Sequence, residues 1–233
     1  MHRLQLIFSG SSIAIHFGLF GFIWVFAVLF TGLPLFYQHV FHLRPDENGI
    51  FTALPFIFSV MISNLGSFLV DKMIEKQFVS RIHLRKLVYV GGMLLTVTFF
   101  NAATFVPKDK IFIVVLCMSL SSGFSEIARS CVYVNITEVA PNFCGILCGI
   151  GQTFGFVAMF MEPLVTGYFT QEKAGREEYR LVFAVAVGVA TVCSLVFAIF
   201  GKGEQQDWDK GMDGNFDTEC DEQKGLIDSI SGS

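Results

Sequence analysis

Residues 12–37 read SIAIHFGLFGFIWVFAVLFTGLPLFY. This apolar run contains no Asp, Glu, Lys or Arg and one histidine, His16. The hydrocarbon core of a bilayer is about 30 Å thick, so a helix needs roughly 20 apolar residues to cross it. A helix that is apolar on every side is buried in a large core or in a membrane. This stretch therefore predicts a transmembrane helix.

Five further runs of similar length and character follow it. We place the six crossings at about 12–37, 48–70, 87–106, 111–136, 143–170 and 180–201. The 233-residue chain is 53% hydrophobic and only 15% charged, whereas soluble domains carry about 25% charged residues. The pattern predicts an all-α multi-pass membrane protein, with an N-terminal stub over 1–11 and a six-helix bundle over 12–201.

The loop after the second crossing predicts the orientation, because short loops rich in Lys and Arg stay in the cytoplasm. Residues 71–86 hold two acids, Asp71 and Glu75, against the bases Lys72, Lys76, Arg81, Arg85 and Lys86. With this loop inside, both termini are cytoplasmic. The polar, acidic segment 202–233 has the composition of a disordered tail.

Several classes of function are not indicated. The sequence has no basic stretch or stacking motif typical of nucleic-acid binding. Cys144 and Cys148 share a helix face, but neither a His nor a further Cys joins them to form a metal site. No catalytic residues recur at a recognisable spacing, so we expect neither an enzyme nor a cofactor.

Two ionisable residues stand out in the fourth crossing, where charges are costly unless paired or hydrated. Glu126 and Arg129 are three residues apart, so they share one helix face. One interpretation is an internal ion pair that neutralises itself. The other is a cavity wall, where Arg129 attracts an anion and Glu126 handles a proton or cation.

A third ionisable residue, Glu162, directly precedes Pro163 in the fifth crossing. Proline frees a backbone carbonyl and bends a helix. A carboxyl beside such a bend is a candidate coupling-ion site, and the alternative is a protonated, hydrogen-bonded side chain without a transport role.

Sequence motifs add a resemblance to a known family. Gly66-Ser-Phe-Leu-Val-Asp71-Lys72 ends the second crossing and resembles the loop motif of the major facilitator superfamily, and Arg85 opens the third. We interpret Gly66, Asp71, Lys72 and Arg85 as a gating motif. Glu138-Val-Ala-Pro141 and Lys202-Gly-Glu204, followed by Gln206 and Trp208, occur later in the chain.

In this order, from about Trp24 to Trp208, the motifs resemble the C-terminal half of solute carrier family seventeen, which includes sialin, type I sodium–phosphate cotransporters and vesicular anion transporters. The resemblance implies half of a twelve-helix fold that transports organic anions or inorganic phosphate by alternating access, coupled to protons, sodium or membrane potential. It also implies a plasma, lysosomal or vesicular membrane.

The resemblance bears on the candidate site residues. Asn135 matches a polar position typical of the family and joins Arg129 and Glu126 as a candidate substrate-binding residue. Glutamate carriers of the family have an arginine two positions before a Trp, where this chain has Phe22 before Trp24. Vesicular glutamate transport is therefore not expected.

The resemblance covers one half of a carrier, so we expect the chain to need an N-terminal six-helix half or a second copy. Two alternatives stay open. One is a non-transporting isoform or fragment that associates with a full-length carrier, and the other is a six-helix channel, which would require a charged ring or pore loop. An isolated half would expose its cavity face, with Glu126 or Glu162 unpaired in lipid.

Overall fold

A computed structural model describes residues 7–75, 80–107 and 109–210. Within these residues all regular structure is helical, and six helices are long and apolar enough to cross a membrane. The prediction of an all-α multi-pass membrane protein is confirmed. The helices are α1 (Gly10–Phe41), α2 (Pro45–Glu75), α3 (Arg81–Phe105), α4 (Ile111–Val139), α5 (Cys144–Thr170) and α6 (Arg176–Phe200), followed by the short α7 (Asp207–Lys210).

The helices generally continue past the apolar stretches that revealed them. Helix α2, for example, begins at Pro45 and ends at Glu75, whereas the expected crossing was 48–70. Asp46 and Glu47 lie in its first turn, where acidic side chains interact favourably with the helix dipole. Helix ends of this kind reach into the headgroup layers, where polar residues are tolerated.

Helix α1 contains one π-helical turn, Val28–Gly32, at which the Leu33 N–H donates to the Val28 carbonyl five residues back. Pro34 is the second residue after the turn. Proline has no N–H to donate to the carbonyl four residues earlier, and its ring clashes with that carbonyl. Widening the preceding turn relieves the clash, so Pro34 accounts for the irregularity.

Helix α1 lies at the centre of the bundle and packs against α4, α5 and α6, while α2 and α3 pack mainly against α4. Close approach depends on small residues. A Cβ added at Gly21 of α1 would lie 2.6 Å from the Cβ of Cys193 in α6. This contact leaves no space for a side chain, as is common where membrane helices touch.

Burial is distributed very unevenly among the helices. In the most apolar stretch of each helix, 72% of the residues of α1 are buried, compared with 22% of those of α5 and only 11% of those of α2. The exposed side chains on these two helices are largely apolar and include Ile57, Leu65, Phe156 and Phe160. Such surfaces face lipid or another protein, not water.

The segment after α6 folds back onto the bundle. The Asn135 amide donates to the Lys202 carbonyl at 2.7 Å, and the Gln206 N–H donates to the Val139 carbonyl at 3.0 Å. Trp208 is 8% exposed. The expected disordered tail from Lys202 is therefore wrong up to Lys210, because these hydrogen bonds and the buried indole hold the segment in place. Residues 1–6 of the expected stub and 211–233 of the tail lie outside the described residues.

Candidate functional site

A cavity of about 280 Å³ lies among α1, α4 and α5. Most of its wall is aromatic or aliphatic, and four side chains contribute polar groups. It is lined by Phe22, Ile23, Phe26, Glu126, Arg129, Tyr133, Gln152, Phe156 and Met159. The Arg129 side chain is 39% exposed, so the cavity is accessible from outside the bundle.

Glu126 and Arg129 form an ion pair on the wall of this cavity. Arg129 Nη2 and Nε lie 2.6 and 2.7 Å from the same oxygen, Glu126 Oε2. The two interpretations of the sequence therefore describe one arrangement, since the pair neutralises its own charge and also faces a cavity. The expectation of an unpaired Glu126 in lipid is wrong, because Arg129 lies one helical turn away on the same face.

Aromatic rings flank the guanidinium of Arg129. Its Cζ lies 5.4 Å from the centre of the Phe22 ring and 5.3 Å from that of Tyr133. The faces of aromatic rings attract cations at such distances. Phe22 thus contacts the cation from α1 and Tyr133 contacts it from α4. The Gln152 amide of α5 donates to the Tyr133 hydroxyl and holds that ring in place.

Phe22 is the position at which the resemblance marks an arginine in glutamate carriers. In this chain a guanidinium lies against that position all the same, but it comes from α4. The sequence did not reveal this relation, because Phe22 and Arg129 belong to helices far apart in the chain. Gln152 was missed for the same reason, whereas Tyr133 lies four residues after Arg129 on α4, a spacing that could have revealed it.

The arrangement is suited to binding an anion. A guanidinium offers planar, paired N–H donors that match a carboxylate or phosphate. Few polar groups within a mostly apolar wall are typical of sites that orient small organic molecules. An anion entering here would compete with Glu126 for the donors of Arg129.

Glu162 lies in the bundle interior, away from the wall of this cavity, and is only 1% exposed. Its Oε1 lies 2.6 Å from Thr166 Oγ1, and its Oε2 lies 2.6 Å from Thr31 Oγ1 in the π turn of α1. The expectation of an unpaired Glu162 in lipid is therefore wrong. The spacing of four residues could have revealed Thr166, but no sequence signal pointed to Thr31.

Asn135 occupies a different part of α4 from the ion pair. It lies about 9 Å from Arg129 along the helix axis, at about 1.5 Å per residue. The side chain is 1% exposed and donates to the Lys202 carbonyl. The structure thus separates Asn135 from the cavity and gives its amide a role in holding the C-terminal segment.

Three residues of the gating motif, Gly66, Asp71 and Lys72, lie in the C-terminal part of α2, and Arg85 lies near the start of α3. Gly66 packs against Ile127 of α4, and Lys72 Nζ lies 4.4 Å above the Phe68 ring. Arg85 Nη2 binds Glu138 Oε1 at 2.7 Å, with side chains 8% and 22% exposed. Sequence reasoning missed Glu138 as the partner of Arg85, although both belong to quoted motifs.

Comparison with known proteins gives a consistent result. The sequence profile described as "Major Facilitator Superfamily" matches residues 15–215. Sodium-dependent phosphate transport protein 3 of Mus musculus is 30% identical over 197 residues, which cover 84% of this chain and 41% of that protein. Vesicular glutamate transporter 1 of Xenopus tropicalis is 30% identical over 185 residues, which cover 79% and 32%.

A further relative, sodium-dependent phosphate transport protein 4 of Homo sapiens, is 28% identical over 193 residues, covering 83% of this chain and 45% of that protein. The chain thus spans less than half the length of these curated relatives. They are members of solute carrier family seventeen, so the resemblance inferred from the motifs is confirmed.

Proposed function

The chain belongs to the Major Facilitator Superfamily, and we propose that it forms one six-helix half of a secondary active carrier for anions. The observation that carries this proposal is the cavity around Arg129, where a cation held by Glu126, Phe22 and Tyr133 lines an accessible space. Arg129 attracts the anion, and Glu126 acts as a gate that holds Arg129 while the site is empty.

The wall of the cavity favours an organic anion over inorganic phosphate. Phe22, Phe26, Phe156 and Met159 offer apolar contacts to the body of such a molecule. Phosphate needs several donors and gains nothing from aromatic walls. Relatives are named as phosphate and glutamate transporters, so both phosphate and carboxylate serve as probes in the test.

Glu162 is the coupling residue of the proposed carrier. Its carboxyl is buried on α5 beside Pro163 and touches the π turn of α1. An intramembrane carboxyl in such a place is typical of proton and ion pathways. Glu162 does not line the cavity, so the proposed coupling ion and the anion have separate binding residues.

A second six-helix unit completes the site. The exposure of Arg129 and the apolar surfaces of α2 and α5 support this part of the proposal, since carriers of this fold bind substrate between two halves. The covering unit is a complementary half or a second copy. The basic loop 71–86 supports cytoplasmic termini, in a plasma, lysosomal or vesicular membrane.

Equilibrium binding to the purified chain in lipid nanodiscs tests the anion site. We expect saturable binding of radiolabelled benzoate that is tighter than binding of phosphate and is lost in Arg129→Gln. Arg180→Gln is the matched control, because Arg180 pairs with Glu177 at one end of α6, outside the cavity. Equal binding by wild type and Arg129→Gln would contradict the proposal.

Flux into liposomes tests the carrier mechanism. We expect no accumulation by the chain alone and uptake once a complementary six-helix half is reconstituted with it. Accumulation by monomeric chain would contradict the need for a second unit, and single-channel currents would favour the channel alternative.

A further inference from the structure

The hydrogen bonds around Glu162 indicate its charge state, which its burial alone does not. In the described part of the chain no Lys, Arg or His forms an ion pair with it. Its two oxygens have separate partners, Thr166 Oγ1 on its own helix and Thr31 Oγ1 on α1, each at 2.6 Å. Oxygen atoms this close are in direct contact, with no room for a metal cation between them.

Thr31 has a second short contact. Its Oγ1 lies 2.8 Å from the backbone carbonyl oxygen of Ala27. A hydroxyl carries one hydrogen, and a carbonyl oxygen only accepts. If Thr31 donates to Ala27, the hydrogen in its contact with Glu162 must come from the carboxyl group. All three contacts are satisfied together when Glu162 is protonated: Glu162 donates to Thr31, Thr31 donates to Ala27, and Thr166 donates to Glu162.

The deprotonated state of Glu162 has a different arrangement of hydrogen bonds. Loss of the proton leaves a carboxylate that only accepts, and the proton leaves the bundle for water. The Thr31 hydroxyl then rotates to donate to Glu162 and releases the Ala27 carbonyl. The two charge states therefore differ by one hydrogen bond, which the Thr31 side chain donates to a backbone carbonyl of α1.

That hydrogen bond is made at the irregular point of α1. Ala27 is the residue immediately before the π turn Val28–Gly32, and Thr31 lies within it. Gly32, the last residue of the turn, lies beside Glu162, since a Cβ built there would be in ordinary contact with Oε1 at 3.6 Å. Single π turns inside α-helices are frequent at functional sites.

We infer that Glu162 is a proton-binding site whose charge state determines, through Thr31, whether the Ala27 carbonyl before the π turn of α1 accepts a hydrogen bond. This inference rests on the proposed coupling role of Glu162 and deepens it by naming the ion as a proton and Thr31 as the transmitting group. Thr31 is a positioning residue.

The surroundings of Glu162 are compatible with this role. From α6 the titratable neighbour that interacts with it electrostatically is Tyr179. The Tyr179 hydroxyl lies 2.9 Å from Nδ1 of His39, which belongs to α1. On α5 itself the direct partner is the neutral Thr166. Arg129 and Glu126 of α4 bind each other at the cavity wall.

Infrared difference spectroscopy of the full chain in nanodiscs at neutral pH tests the inference without measuring transport. We expect a carboxylic-acid C=O band that is lost completely in Glu162→Gln. The band should shift in Thr31→Val, which removes the acceptor, and keep its position in Thr31→Ser. Glu172→Gln, at an exposed position, is the control and should leave the band intact.

Absence of a band that depends on Glu162 would overturn the inference, as would a band that Thr31→Val leaves in place. Loss of the band on replacing potassium by sodium would also overturn it, since sodium would then occupy the site. Arg129→Gln should leave the band that depends on Glu162 unchanged. Failure of anion binding is thereby distinguished from failure of the proton site.

Discussion

At the scale of single residues, Arg129, Glu126 and Glu162 show two ways in which the described part of the bundle stabilises ionisable side chains. Arg129 and Glu126 neutralise each other and remain partly exposed, at 39% and 20%. Glu162 is buried and forms hydrogen bonds with two threonines. An ionisable side chain inside a bilayer is costly without such partners, and the two solutions suit different roles.

Removing the cation should weaken anion transport. In the assembled carrier, Arg129→Gln should lower the uptake affinity about tenfold or more, because a hydrogen bond to a charged group contributes about 1.5–3 kcal/mol. Arg129→Lys should recover part of it, since it keeps the charge but not the fork of donors. Initial uptake rates, normalised to surface expression, measure the effect.

A relocated cation provides the complementary test. Adding Phe22→Arg to Arg129→Gln should restore uptake in part, because Phe22 lies against the Arg129 guanidinium. Unchanged uptake in Arg129→Gln would reduce the Glu126–Arg129 pair to a structural feature.

Removing the proton-binding carboxyl should change how transport responds to pH. Glutamine at position 162 keeps the size of the side chain, but its amide does not titrate. Glu162→Gln should therefore flatten the pH profile of uptake. The measurement is initial rate against external pH in proteoliposomes. Glu172→Gln is the control, and a wild-type profile in Glu162→Gln would remove this residue from coupling.

At the scale of helices, close packing around α1 determines which positions tolerate substitution. Gly21→Ala should lower the free energy of unfolding by about 1–3 kcal/mol, because the new Cβ would lie 2.6 Å from the Cβ of Cys193, an atom fixed to the α6 backbone. Gly188→Ala in α6 is the matched control, with no atom within 4 Å of its added Cβ. Thermal midpoints in detergent compare the two, and equal midpoints would show that α1 and α6 are looser than described.

The Arg85–Glu138 pair joins α3 to α4 and is largely buried. Arg85→Gln should destabilise the bundle by up to about 3–5 kcal/mol, since it leaves a carboxylate without its partner. Adding Glu138→Gln should recover part of the loss. A double-mutant cycle on thermal stability should therefore give a coupling energy of about 0.5–3 kcal/mol. Strictly additive effects would show that the pair contributes no coupling.

Sequence reasoning succeeded where the information is local. Apolar length revealed the six helices, and the spacing of Glu126 and Arg129 placed them on one face. Contacts between distant segments gave no such signal. Thr31 and Glu162 are 131 residues apart, and the position of Phe22 beside Arg129 depends on how α1 crosses α4. The docking of 202–210 was missed because a polar composition conceals one buried tryptophan and a few backbone hydrogen bonds.

At the scale of the whole molecule, the proposed orientation places the loop between α5 and α6 outside and the end of α2 inside. A membrane-impermeant maleimide applied to intact cells that express the protein in the plasma membrane should label Lys173→Cys and not Glu75→Cys, both at exposed positions. Wild-type labelling supplies the background from native cysteines. Permeabilised cells should label both variants, and the reverse pattern in intact cells would invert the topology.

Nη2 and Nε of Arg129 share one oxygen of Glu126, and this geometry affects the rate at which an anion would exchange in the proposed carrier. Glu126 behaves as a tethered surrogate ligand, present at an effective concentration that free solutes rarely match. An arriving solute therefore exchanges with it and does not fill a vacant charge. In the proposed carrier, this exchange would make anion binding weak and anion release fast.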